Sequence, residues 1–342
     1  MSSNVTDISL DMMSDTKFYS DYSRWMDFIE RFETWSESVK RVMDMHRAKY
    51  SSVMSPTLNK YISLAENAYN QKWVLGAQRA LQFGGDQIMK KMVRLYNCAF
   101  SYCDRPAFFQ EAMYVLLCGC GAGFSVQTHH VEKLPKIRSV NREDRSIFTI
   151  PDSIEGWSDA FGVLLSSYFI ENQTFPEYYG KHVVFDYNDI RPRGALISGG
   201  FKAPGPDPLR KSLELCRDLL DKQFTHFPTD RDGNTKIRPI VAYDFIMHMA
   251  DAVLSGGVRR SATICLFSKD DIEMLSAKTE PNWFDNEPQR MRSNNSAVLI
   301  RDELTRKEFN EIMQKTKLFG EPGFIFSSDT EHGVNPLTKL AA

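Results

Sequence analysis

The chain has 342 residues, of which 42% are hydrophobic and 25% charged, and its 42 basic against 44 acidic residues give a net charge of −2 at pH 7. This balance is typical of a globular protein with a sizeable core, and it gives no basic footprint for a polynucleotide or an anionic membrane. There is no apolar run of about 18 residues and no basic and apolar leader, so the sequence predicts a cytoplasmic protein without a membrane partner.

Two helices are predicted at the start of the chain. Apolar residues recur at three- and four-residue steps between about 18 and 48, which predicts one amphipathic helix. These residues are Tyr22, Trp25, Ile29, Phe32, Trp35, Val39 and Val42. A second helix is predicted over about 57–72, before Trp73, and we place the end of an N-terminal helical region at residue 75.

Beyond this region, short apolar runs alternate with longer helical patterns, which predicts an α/β fold with parallel strands. Buried strands are predicted at 183–185, 263–267, 297–300 and 324–326. Helices are predicted at 155–171, 208–222, 240–254 and 305–318. The polar or Gly/Pro-rich segments 138–147, 191–208 and 228–238 are predicted to be loops.

The cysteines show no paired metal-ligand spacing, so most are expected to be thiols in a reducing compartment. They are Cys98, Cys103, Cys118, Cys120, Cys216 and Cys265. Cys118, Cys120, His129 and His130 could be imagined as metal ligands, but no second ligand pair at zinc spacing follows them. Buried thiols and surface histidines are therefore favoured, and no metal site is predicted.

One segment combines a flexible turn with positive charge. Residues 254–264 read LSGGVRRSATI. Gly256 and Gly257 permit a tight turn and a close approach to a ligand, and Arg259 and Arg260 offer guanidinium forks suited to phosphate or carboxylate. Taken alone, the segment is more typical of a helix cap with a solvated face.

Two further segments contain glycine and cysteine. Residues 79–100 read RALQFGGDQIMKKMVRLYNCAF, and by spacing alone Cys98 would be a small buried hydrophobe. Residues 116–137 read LLCGCGAGFSVQTHHVEKLPKI. Their glycines match neither GxGxxG nor GxxxxGK[ST], which disfavours a dinucleotide-dependent oxidoreductase.

Together these segments resemble, in the same order, motifs of the class II, adenosylcobalamin-dependent ribonucleotide reductases. Further matching strings are IPDSIEGWSDA at 150–160, FDYNDIRPRGALISGGFKAPGPDPL at 185–209, RPIVAYDFIMHMADAVLSGG at 238–257, RMRSNNSAVL at 290–299, GEPGFIF at 320–326 and HGVNP at 332–336. The GGVRRSA form favours the cobalamin class over the diiron-dependent enzymes. YSRW at 22–25 and ETW at 33–35 favour the monomeric, triphosphate-reducing branch.

The resemblance implies a ten-stranded α/β barrel, with an N-terminal helical region at 1–75 and the first half of the barrel at 76–336. It implies an oxidoreductase of deoxyribonucleotide synthesis that uses a thiyl radical initiated by adenosylcobalamin in the complete enzyme. Its substrate would be a ribonucleotide, with triphosphates expected, its allosteric effector a deoxynucleoside triphosphate or ATP, and its reductant thioredoxin or a similar dithiol donor.

The resemblance also implies roles for individual residues. Cys98 would be one of two cysteines that reduce the substrate, and Asn335 would hold a ribose hydroxyl. The implied substrate-binding residues are Asn97, Gly121, Gly123, Asn294 and Asn295. The implied effector or specificity residues are Val131, Glu132, Lys133, Gly256, Gly257, Val258, Arg259, Arg260 and Ser261.

The sequence departs from the family pattern after Asn335 and Pro336. There the family has a radical cysteine, one residue and a glutamate base, whereas this chain has Leu337 and Lys339. We predict that residues 337–342, LTKLAA, are the read-through of a split gene or a cloning remnant. The chain alone is then expected to be inactive without a C-terminal fragment of the same reductase. The alternative is a non-catalytic, nucleotide-binding split subunit.

Overall fold

The computed structural model describes residues 2–197, 201–254 and 262–334. The chain divides into two compact units, one up to Asn97 and one from Cys98 onward. In these described ranges, no helix is both long and apolar enough to cross a membrane.

The first unit is mainly helical. Its elements are α1 (Ser2–Asp21), β1 (Trp25–Met26), β2 (Arg31–Phe32), α2 (Trp35–Lys49), α3 (Pro56–Asn70), α4 (Gln78–Phe83) and α5 (Asp86–Lys90). The unit extends past residue 75 because Leu81 of α4 and Ile88 of α5 share a buried core with Val39 and Val42 of α2.

The prediction of one helix over 18–48 is wrong, whereas the helix predicted over 57–72 is confirmed as α3. The chain turns through the β1–β2 hairpin before α2 begins. Thr34 caps α2 and forms a capping box with Glu37, which fixes the helix start. Trp25 and Phe32 pair edge-to-face across the hairpin with ring centroids 5.3 Å apart. Their spacing resembled a helical face but serves a cross-strand contact.

The second unit alternates strands and helices. Its elements are β3 (Cys98–Tyr102), α6 (Ala107–Leu117), β4 (Gly121–Ser125), α7 (Thr128–Val131), β5 (Ile137–Arg138), β6 (Asn141–Thr149), α8 (Ile154–Tyr168), β7 (Lys181–Asp186), β8 (Leu196–Ile197), β9 (Phe201–Lys202), α9 (Asp207–His226), β10 (Asn234–Thr235), α10 (Pro239–Leu254), β11 (Thr263–Ser268), α11 (Ile272–Ser276), α12 (Trp283–Asn286), β12 (Ser293–Ile300), α13 (Arg306–Phe319) and β13 (Gly323–Ser327). The four predicted strands and four predicted helices are all confirmed.

Five of these strands form one parallel sheet in the order β3-β4-β11-β12-β13. Because every pair is parallel, all amino ends lie along one border, here called the amino edge, and all carboxyl ends lie along the opposite border, the carboxyl edge. In register, Cys98 pairs with Gly121, and Gly123 pairs with both Phe100 and Ile264. The predicted α/β fold with parallel strands is confirmed.

The sheet has one face covered by helices and one inner face. Phe124, Phe267 and Leu299 alternate onto the helix face and join the main core with residues of α6, α8, α9 and α10. Ile264 and Leu266 alternate onto the inner face, where they cluster with residues of β3, β12 and β13. Period-two alternation therefore assigns each strand residue to one face.

The loop predicted at 138–147 is wrong, because β6 occupies 141–149 and pairs in parallel with β7. Most of β6 is exposed. A charged, solvent-facing strand lacks the apolar alternation by which strands are recognised. The other two predicted loops contain, within their described residues, only two-residue strands and the start of α9.

Candidate functional site

Cys98 is the first residue of β3 and lies at the amino edge beside Gly121, the first residue of β4. It is partly exposed, whereas the other five cysteines are buried. Burial raises the pKa of the thiols of Cys103, Cys216 and Cys265 well above the ordinary value. Since thiol chemistry requires an accessible sulfur that can ionise, Cys98 is the cysteine best placed to react.

Glycines on the inner face make room for a segment of chain that crosses the sheet. We call residues 328–334 the crossing segment. A Cβ at Gly123 would lie 2.7 Å from the Phe100 ring and 2.8 Å from the carbonyl oxygen of Val334. A Cβ on Gly333 would also overlap the Phe100 ring. The crossing segment therefore approaches β3 and β4 as closely as it does because neither glycine carries a side chain.

The crossing segment runs antiparallel to β3. It follows β13 at the carboxyl edge, where the Tyr102 hydroxyl donates to the carbonyl oxygen of Glu331. Two residues further on, Gly333 lies against Phe100, and Val334 then packs on the inner-face cluster. The segment is thus directed from the carboxyl edge toward the amino edge, where Cys98 begins β3. Asn335, which follows it, lies outside the described residues.

The two predicted asparagines of β12 point to opposite faces. Asn294 pairs with Ile264, shares the inner face and is exposed. Asn295 lies on the helix face with 2% exposure, where its side-chain oxygen accepts from the Ser293 hydroxyl at 2.6 Å. The structure therefore brings Asn294 to the same face as Cys98, Gly121 and Gly123, but not Asn295.

A buried ion pair holds the approach to β12 at the amino edge. Arg290, three residues before that strand's first residue, donates to both carboxylate oxygens of Asp244 on α10, at 2.8 and 2.6 Å. The two side chains are 15% and 7% exposed. Burial by itself would lower the pKa of Arg290, but its hydrogen bonds to Asp244 and the negative charges of Asp244 and Glu287 together raise that pKa. This bidentate contact anchors the chain that leads to Asn294.

The other predicted positions come from several segments of the chain. Asn97 belongs to the first unit, where its side-chain oxygen accepts from Arg79 Nε at 2.7 Å. Val131 is buried in the main core, with 1% exposure, whereas Glu132 and Lys133 are exposed. The residues Gly256, Gly257, Val258, Arg259, Arg260 and Ser261 lie outside the described residues.

A second polar group, at the carboxyl edge, was not predicted. His129 and His130 of α7 both contact the carboxylate of Glu331 in the crossing segment. The expectation of surface histidines is wrong for His130, which is 1% exposed. Glu331 is 201 residues from His130 in sequence, so no local spacing could have connected them.

The family model and the proteins of similar sequence are all B12-dependent ribonucleotide reductases by description. Residues 125–220 match a family model described as "B12-dependent ribonucleotide reductase, insertion domain". The adenosylcobalamin-dependent ribonucleoside-triphosphate reductase of Lactobacillus leichmannii is 26% identical over 362 residues, which cover 89% of this chain and 47% of the relative. The protein of the same name from Levilactobacillus brevis is 27% identical over 370 residues, with the same coverage.

A solved structure is also similar. The crystal structure of a B12-dependent (class II) ribonucleotide reductase matches with a TM-score of 0.75 and 24% sequence identity, covering 91% of this chain and 48% of that chain. The α/β fold is therefore that of this reductase class. The chain spans about half the length of the curated relatives it matches.

Proposed function

We propose that this chain, which is similar to the class II, B12-dependent ribonucleotide reductases, contributes the substrate-facing half of an enzyme that reduces ribonucleoside triphosphates to deoxyribonucleotides. The observation that carries the proposal is the position of Cys98. It is the one cysteine of the six that is not buried, and it stands at the amino edge beside Gly121.

Cys98 acts in this proposal as one of two reducing thiols, with the second supplied by the remainder of the enzyme. The two thiols give up two electrons and two protons to the ribose, the 2′-hydroxyl leaves as water, a C–H bond replaces it, and a disulfide forms. Thioredoxin or a similar dithiol then reduces the disulfide by exchange. Such exchange requires an accessible sulfur, which agrees with the partial exposure of Cys98.

The inner face near Cys98 positions the substrate in this proposal. Asn294 presents its amide there, Gly121 stands beside Cys98 at the start of β4, and Gly123 lets the segment that leads to Asn335 approach this strand closely. The direction of the crossing segment supports the proposal that Asn335 acts beside Cys98, where its amide would hold a ribose hydroxyl. We assign Asn295 a structural role and no contact with substrate, because its side chain faces the helices.

The cofactor named for the relatives, adenosylcobalamin, supplies a carbon-centred radical when bound. We assign none of the described residues to its corrin ring, and the steps proposed here belong to this chain's own side chains. A deoxynucleoside triphosphate or ATP is proposed as the effector, and residues 256–261 would couple its identity to the choice of substrate. That segment joins α10 to β11, whose first residue, Thr263, stands at the amino edge.

The test compares two serine substitutions in an enzyme assembled from this chain and the C-terminal half that its relatives carry. Cys98→Ser should reduce thioredoxin-dependent multiple turnover by about 100-fold or more, because a hydroxyl cannot form the disulfide. Nucleotide affinity should remain within about twofold, since the exchange removes one sulfur atom and no charge.

The matched control is Cys216→Ser, a cysteine buried between α9 and α10 whose sulfur lies 3.6 Å from the Phe245 carbonyl oxygen. This variant should keep most of its turnover. Undiminished turnover in Cys98→Ser would show that Cys98 is not the reducing thiol.

A further inference from the structure

Three potential metal ligands converge at the carboxyl edge of the sheet. His129 Nε2 lies 2.8 Å from Glu331 Oε1, and His130 Nε2 lies 3.0 Å from Glu331 Oε2. The ligand atoms of the three side chains lie within 4.8 Å of one another. Two neighbouring imidazoles thus point the same ring nitrogen at one carboxylate.

The ligands are held in place by contacts other than those among themselves. The second ring nitrogen of His130, Nδ1, lies 2.9 Å from the hydroxyl oxygen of Ser125, which is itself buried. The Gln127 amide donates to the carbonyl oxygen of Thr330 at 2.8 Å, and Tyr102 donates to that of Glu331. Fixing the second nitrogen of a histidine and the backbone of its neighbour is how metal sites orient their ligands.

We propose that His129, His130 and Glu331 form a site for a divalent transition-metal ion of the Zn²⁺ type. Two imidazole nitrogens and one carboxylate oxygen are a ligand set that proteins use for zinc, with a further position left for water. The ion would join α7 to the crossing segment, which places it at the opposite edge of the sheet from Cys98. Its role would be to anchor the segment that leads to Asn335.

Without a metal, the same residues can form a hydrogen-bonded clamp in which each imidazole donates its Nε2 proton to Glu331. Metal binding requires Nε2 of His130 to lose that proton and Nδ1 to carry one toward the Ser125 hydroxyl oxygen, which must then give up one of the two hydrogen bonds that it accepts from Gln127. The two arrangements therefore differ in tautomer and in whether the site takes up an ion.

The site is tested by titrating the untagged, chelator-treated chain with Co²⁺, because the filled d shell of Zn²⁺ gives no visible spectrum. One equivalent should bind with visible d–d absorption that Zn²⁺ abolishes by displacement. Saturating Zn²⁺ should also raise the melting temperature of the chain. Absence of binding, or binding without these bands, overturns the proposal in favour of the clamp.

Two variants assign the ligands. His129→Ala and Glu331→Gln change exposed side chains, and Gln preserves the shape of Glu331, so the fold should be retained. Each should weaken Co²⁺ binding by about tenfold or more. The control is His332→Ala, a neighbour in the crossing segment that pairs instead with Asp329 at 2.9 Å. Equal weakening in this control, or none in the two ligand variants, would assign the ion elsewhere and overturn the site.

Discussion

The two edges of the parallel sheet differ in how far the sequence predicted the residues that meet there. At the amino edge stand Cys98, Gly121 and Asn294, each from a string that resembles a reductase motif. At the carboxyl edge stand His130 and Glu331, which no motif connects and which only the fold brings together. A parallel sheet gathers distant segments at both edges, but the resemblance singled out neither His130 nor Glu331, although His130 lies in one of the matching strings.

The largest stability effect is expected from the ion pair that holds the amino edge. Asp244→Asn should lower the free energy of unfolding by about 3 kcal/mol, because the buried Arg290 would lose its compensating carboxylate. The measurement is urea denaturation of the chain at pH 7.

Asp302→Asn is the matched control, since Asp302 is an exposed acid after β12, at the carboxyl edge. It should change the unfolding free energy by less than about 0.5 kcal/mol. If the two variants lost similar free energies of unfolding, the Arg290–Asp244 ion pair would stabilise the chain no more than an exposed acid at the carboxyl edge does.

The segment before β11 is expected to affect regulation more than stability. Replacing Arg259 and Arg260 by Ala should reduce the coupling between effector identity and substrate choice by about 1–3 kcal/mol. Substrate ranking with each effector, in the assembled enzyme, measures this coupling. Arg306→Ala, an exposed arginine at the start of α13, is the control. An unchanged ranking in the double variant would remove these arginines from the effector relay.

A smaller effect is expected where the crossing segment passes over β4. Gly123→Ala should destabilise the chain by about 1–2 kcal/mol, because the new Cβ would lie 2.7 Å from Phe100 and 2.8 Å from the Val334 carbonyl oxygen. Gly323→Ala in β13 is the control, since its Cβ would meet a serine hydroxyl oxygen at 3.0 Å. If thermal unfolding shows that both variants lose the same stability, the crossing segment does not approach β4 as closely as these distances indicate.

The sequence predicted what depends on local pattern and missed what depends on exposure or long-range contact. Apolar periodicity located β11, β12 and the helices between the strands. It failed for β6, whose charged side chains face solvent, and for the β1–β2 hairpin, whose aromatic residues fall at helical spacing. The family resemblance nominated both Asn294 and Asn295, although adjacent strand residues must face opposite sides. Glu331 could not be predicted, because nothing local identifies its histidine partners.

The smallest effect, and the one that most directly tests the solvated character of the carboxyl edge, concerns Glu308 at the start of α13. Its carboxylate accepts from Lys269, which follows β11, and from the Thr305 backbone at 2.8 Å. These contacts, with that of Lys269 the largest, lower the pKa of Glu308 to about 2.

A carboxyl group whose pKa is lower in the folded state stabilises the fold above its unfolded-state pKa and loses that contribution as pH falls toward the folded-state value. The melting temperature of the wild-type chain should therefore exceed that of Glu308→Gln slightly at pH 7, and the difference should shrink between about pH 5 and pH 2. Lys269→Met should reduce this pH dependence without abolishing it, since the Thr305 contacts remain. If the difference in melting temperature stayed constant with pH, the charge of Glu308 would not be the source of its stabilising effect.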